Sequence, residues 1–181
     1  MNIALLALHV GVGLLFAGHG AQKLFGAFGG HGLEGTAGFF DSIGMKPGRL
    51  NAIAAGAAEF FGGLLIALGL VTPFAAAALI AVMTVAVLTV HAKNGIWSTN
   101  QGYEYNLVLV LSLLVVAAGD AGRYSLDHWF GWALGSTAWG LGALGVGIAG
   151  GLVAVAAGKI ASRERSARRR GHGGPAHPTA A

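Results

Sequence analysis

Eight polar side chains stand in or beside long apolar stretches of this sequence: His19, Gln22, Lys23, Glu59, His91, Lys93, Glu104 and Asn106. Together they have the chemistry of a hydrogen-bonding, proton-exchanging pocket. Imidazoles exchange protons near neutral pH, a lysine and a carboxylate form an ion pair, and amides hold a polar group in place. His19 and Lys23 are four residues apart, so a helix puts both on one face. Glu59 has Gly56 before it and Gly63 after it, at helical spacing. Small residues there let a neighbouring helix come close to the carboxylate. A charge at membrane depth costs about 2.5–3.5 kcal/mol on insertion scales, so Glu59 is expected to be paired. A pair with Lys23 or His19 lets it stay ionised.

Taken singly, the other residues have plainer roles. Lys23 reads as an anchor that snorkels to the interface. His91 and Lys93 read as interface residues, and Glu104 as a first-turn charge that suits the helix dipole. His9, alone on an apolar face, reads as a hydrogen bond between helices. Two histidines, His19 and His91, with no third ligand do not make a metal site. Glu59 is the member that turns the set into a network.

The elements that hold these residues follow from composition. Of 181 residues, 55% are hydrophobic and 10% charged, against about 25% charged in a soluble domain. Mean hydropathy is +0.68. So few charges cannot clothe a globule, and the expected fold is an all-α polytopic bundle with lipid as part of its solvent. A span needs about 20 mostly apolar residues. Five segments fit, at about 3–22, 50–70, 74–90, 104–118 and 136–157, the fourth of them short. The start has no basic n-region and reads as an uncleaved first helix. Val71-Thr72-Pro73 makes a tight turn, with Pro73 in the first turn of the next helix. The glycine-rich stretch between the first two spans is expected to be irregular, with a short interfacial or re-entrant helix from Thr36 to Ile43 stopping at Gly44. Trp97, Tyr103, Trp129 and Trp132 suit interface depth. Residues 161–181 are expected to form a disordered basic tail.

Charge sets the orientation. With the N-terminus outside and five spans, Lys23, Lys46, Arg49, Lys93, Lys159 and the five arginines between Arg163 and Arg170 all fall inside, and Arg123 alone falls outside. That is a strong form of the positive-inside rule. The first span then ends, the second begins, the third ends and the fourth begins at the cytoplasmic face. The polar residues therefore share one depth, and a pocket between four helices is expected to open toward the cytoplasm.

Several functions are set aside. The absence of cysteine removes disulfides, thiolate metal sites and thiol nucleophiles. The sequence pI of about 9.9 comes from the tail arginines, which touch anionic lipid and fix topology rather than bind nucleic acid. Gly140, Gly142 and Gly145 match a dinucleotide fingerprint, but they follow no strand and sit inside a hydrophobic span. Ala143, Gly147 and Gly151 instead form a small-residue stripe, suited to docking on the bundle or to a homodimer.

In five places the chain resembles the DoxX family of bacterial membrane proteins. These are Gly18-His-Gly-Ala-Gln-Lys23, Glu59-Phe-Phe-Gly-Gly63 with Gly69-Leu-Val-Thr72, His91-Ala-Lys-Asn-Gly95, Gly102-Tyr-Glu-Tyr-Asn106, and Gly119-Asp-Ala-Gly-Arg-Tyr-Ser-Leu-Asp127. The resemblance covers about residues 5 to 130. It implies a four-helix membrane core over 1–130, with 131–160 as an added span, and a bacterial inner membrane location. It also implies that His19, Lys23, Glu59, His91 and Glu104 occupy the family's typical polar positions. The fifth span and the arginine tail extend past the family core, and Gly119-Asp120 stands where a Gly-Pro-Gly-like turn is common. The implied function is a membrane subunit that supports quinone-linked or antioxidant redox chemistry with a partner enzyme. His, Lys and Glu would hydrogen-bond a quinone carbonyl and pass protons. A small-solute or proton-coupled transporter and a scaffold without chemistry are the alternatives, and the residues leave open whether there is catalysis.

Overall fold

In a computed structural model, which describes residues 3–119 and 122–172, the chain is a bundle of α-helices. They are α1 (Ile3–Phe25), α2 (Gly32–Ser42), α3 (Gly48–Leu68), α4 (Thr72–Ala86), α5 (Glu104–Ala118), α6 (Leu126–Trp129) and α7 (Thr137–His172). Helix α4 continues as a wider π turn over Val87–His91. Helices α1, α3, α4 with its continuation, and α7 are each long and apolar enough to cross a membrane, and α5 is a shorter apolar helix. Leu14, Phe61, Phe74, Leu111 and Val146 are exposed on these helices, as lipid-facing side chains should be. The protein is thus an all-α, multi-pass membrane protein.

Helix α4 is the centre, packing against α3, α5 and α7, while α1 lies along α3. Phe16, Ile66, Leu79, Ile80, Leu113 and Val116 are buried at the middle of the bundle. The helices are drawn together by glycine. A Cβ on Gly20 of α1 would come within 2.7 Å of the Gly56 carbonyl oxygen, and one on Gly13 within 2.6 Å of the Gly63 oxygen. The α1–α3 contact is therefore backbone on backbone, as the glycines around Glu59 predict. Helix α7 docks on α4 in the same way. A Cβ on Gly147 would lie 2.6 Å from Ile80 Cβ, and one on Gly151 2.5 Å from Thr84 Cβ. Ala143 is buried as well. Of the two roles expected for the stripe, this fold uses docking within the chain.

At the end where α3 turns into α4, a single carboxylate ties three segments. Asp127 Oδ1 accepts from the Val71 amide at 2.7 Å, and Oδ2 accepts from the Thr72 amide at 3.1 Å and the Thr72 hydroxyl at 3.0 Å. The Asp127 amide donates to the Gly69 carbonyl at 2.9 Å. The α4 N-terminus is thereby capped from a distance. The opposite end, where α1 ends and α3 begins, is built of short turns, α2, and the π turn of α4.

Most expected boundaries lie within a few residues of the observed ones, and the fourth span starts and stops where expected, at Glu104 and Ala118. The short helix is longer than expected and begins earlier, at Gly32. The tail differs more. Disorder was expected from residue 161, yet α7 runs unbroken to His172. The reason is local. From Lys159 to Arg170 the chain has no Gly or Pro, its residues are mostly good helix formers, and extending an existing helix needs no new nucleus. The expected disorder of residues 173–181 and the Gly119-Asp120 turn fall on or beyond the limits of the described residues.

Candidate functional site

The first element of the site is α1. Its last turns carry His19, Gln22 and Lys23 on the side facing α3 and α5. Lys23 Nζ donates a hydrogen bond to Glu59 Oε2, closing the ion pair expected from sequence. Glu59 lies eleven residues into α3, about 16 Å along the helix at 1.5 Å per residue. Its side chain is 3% exposed and that of Lys23 is 28% exposed. The carboxylate is thus held inside the protein while its partner reaches toward the surface.

Two further contacts extend the network. His19 Nδ1 lies 3.1 Å from Gln22 Oε1, to which it donates. That leaves Nε2 as the acceptor, and the Tyr105 hydroxyl stands 3.5 Å from it. Tyr105 comes from the first turn of α5, so the set joins α1, α3 and α5. Asn106, the next residue, is buried and directs Nδ2 to Met83 Sδ of α4 at 3.4 Å.

These residues border a cavity of about 600 Å³, within the size range of ligand sites, which run from about 300 to 1,000 Å³. His19, Lys23, Glu59, His91, Tyr105 and Asn106 all line it. Most of the remaining wall is alanine, valine and phenylalanine from α2, α3 and α4. His91 is placed there by the π turn. Its Nδ1 lies 2.8 Å from the Gln101 carbonyl oxygen, to which it donates, leaving Nε2 as an acceptor. The arrangement is a largely apolar chamber with hydrogen-bonding groups from four helices.

Five of the eight polar residues singled out in the sequence therefore meet in one place. Three do not line the cavity. Glu104 turns back to the loop before α5, where its Oε2 accepts from the Ser98 amide at 2.9 Å and the Ser98 hydroxyl at 2.7 Å. Gln22 stands behind His19, with Nε2 donating to the Phe28 carbonyl at 3.3 Å. Lys93 is exposed in a turn beyond the cavity. His9 makes no bond between helices. Its Nδ1 is 2.9 Å from the Leu5 carbonyl of its own helix, and Nε2 is buried without a protein partner. Among the described residues, no group of three or more His, Asp or Glu side chains is placed to hold a metal. Sequence reasoning missed Tyr105. The available signal was its place beside Glu104 and Asn106 in one helical turn.

Comparison with known proteins identifies relatives of the chain. The sequence profile of the DoxX family matches residues 4–92, which take in α1 to α4 and with them His19, Lys23, Glu59 and His91. An uncharacterized protein of Haemophilus influenzae is 32% identical over 83 residues, covering 46% of this chain and 55% of that relative. A Bacillus subtilis protein named "Putative oxidoreductase CatD" is 34% identical over 119 residues, covering 66% of this chain and 81% of that relative. No solved structure matches the chain. The family match includes α1, α3 and α4 of the site, and the chain belongs to the DoxX family.

Proposed function

We propose that this protein is a membrane subunit that binds a quinone-type ligand in its cavity and supports redox chemistry carried out with a partner enzyme. The observation that carries the reading is the pairing of a large apolar chamber with a cluster of hydrogen-bonding groups near one end of the bundle. The groups suit a quinone headgroup. Lys23 and the Tyr105 hydroxyl are donors for a carbonyl oxygen, and Glu59 and His19 are acceptors for a hydroxyl. When bound, such a ligand would supply the electron-carrying ring. The protein's part is to hold the ring, exclude lipid from its polar edge, and exchange protons at Glu59 and His19. The name of the Bacillus subtilis relative is in keeping with an oxidoreductase role.

The orientation belongs to the same reading. The N-terminus lies outside a bacterial inner membrane, and the polar end of the bundle faces the cytoplasm, where the basic end of α7 and a soluble partner would meet. The family core occupies residues 1–130, with α7 added to it.

A second reading, a proton-coupled carrier, draws on the depth of Glu59, since a carboxylate inside a span often marks a transport path. A third makes the protein a scaffold whose network only fixes helix register. One experiment separates them. The protein is purified from its own membranes and its lipid extract searched for a quinone, and redox activity and solute flux are compared with Glu59→Gln. A co-purified quinone and lost redox activity in the variant support the first reading. An empty cavity with both activities unchanged sinks the first two.

A further inference from the structure

The cavity is long as well as large. Its wall on α4 is a single stripe, Ala78, Ala81, Val82, Val85, Ala86 and Thr89, at the i, i+3, i+4 spacing of one helix face. Facing it on α3 is a second stripe of Ala54, Ala55 and Ala58, leading to Glu59. From Ala78 to Thr89 is eleven residues, about 16 Å at 1.5 Å per residue, or roughly half of a ~30 Å hydrocarbon layer. Alanine on both walls keeps the two helices from filling the space between them. Ala54 and Ala78 are themselves exposed, so this groove reaches the protein surface at bilayer depth. Its polar end carries one ammonium against one carboxylate, already paired.

We infer that the groove takes the tail of an amphiphile: a ligand with an uncharged, hydrogen-bonding head at Lys23, Glu59 and Tyr105, and a long aliphatic or isoprenoid chain lying between the alanine stripes. This rests on reading the cavity as a ligand site and adds what selects the ligand. The ammonium and the carboxylate that line the groove are already paired with each other, so a phosphate head meets no free lysine there, whereas an uncharged head can share their hydrogen bonds. The alanine walls provide apolar surface with no side chain to displace, and the tail supplies affinity in proportion to the area it covers. Entry is sideways from the bilayer, through the edge marked by Ala54 and Ala78.

The test uses the full chain in lipid nanodiscs. Three probes are titrated: a short-tailed benzoquinone, the same ring with a long isoprenoid tail, and phosphatidylglycerol. The long-tailed quinone is expected to bind at least about tenfold more tightly than the short one, as several buried methylenes would give. Ala54→Phe and Ala78→Leu place bulk at the open edge, where both alanines are exposed, so folding should be kept. Each is expected to remove most of that tenfold preference while leaving short-tail binding unchanged. Equal binding of both tails by the unaltered protein, or variants that weaken both probes alike, would overturn the groove and leave the headgroup site standing. Phosphatidylglycerol binding as tightly as the long quinone would overturn the uncharged head. Failure of both quinones to bind would overturn the proposed function, and the groove with it.

Discussion

Lys23 reaches Glu59 from the turn that follows Gly20, the residue whose missing side chain lets α1 lie against the α3 backbone at Gly56 and Phe60. The ion pair and the glycine contact are thus one construction. The glycines set the distance between the helices, and the pair uses it.

Lys23→Met leaves Glu59 buried without its cation. Removing one partner of a buried pair costs about 3–5 kcal/mol, so the variant is expected to melt well below the unaltered protein in detergent. Lys23→Met with Glu59→Met is expected to recover most of that loss, while the ligand-linked activity stays absent. A double variant that is both stable and active would show that the pair has no role in the site.

Gly20→Val tests the close approach itself. A branched side chain there meets the α3 backbone rather than a movable side chain. Overpacking of this kind costs about 1–3 kcal/mol or more. Ligand binding should fall together with stability, because moving α1 also moves Lys23 and His19. Normal binding in a destabilised Gly20→Val protein would contradict this.

Asp127→Ala acts at the opposite end. It leaves the Val71 and Thr72 amides and the Thr72 hydroxyl without their acceptor, and buried donors without partners cost about 1–3 kcal/mol each. Hydrogen exchange is expected to rise at Val71 and Thr72 and little elsewhere. Affinity for the cavity ligand should not change, since Asp127 is remote from it.

The absence of cysteine makes the orientation simple to test. A single cysteine at Ala167, on the basic end of α7, should react with a membrane-impermeant maleimide only after cells are opened. Labelling in intact cells would invert the assignment of faces.

Much of this was legible in the sequence because a bilayer leaves few choices. Long apolar runs gave the spans, and a carboxylate between glycines pointed to both a partner and a close helix. Other parts depended on information that spacing does not carry. Glu104 sits beside cavity residues in sequence, but a loop that folds back brings Ser98 within its reach. Tyr105 has no mark of its own in the sequence, and only the fold places it beside His19 of α1. The stripes of Ala54, Ala55 and Ala58 and of Ala78, Ala81 and Ala86 look like ordinary packing residues. Only the relative placement of α3 and α4 shows that they line a space. The arginine tail reads as a solvated coil because its charge hides its helix propensity.

The Asp127 clamp has a mechanical consequence. It fastens the α3–α4 turn to the segment around α6 through one side chain, as a rivet joins two plates. The two pieces therefore move together, and a change at residue 127 alone uncouples them.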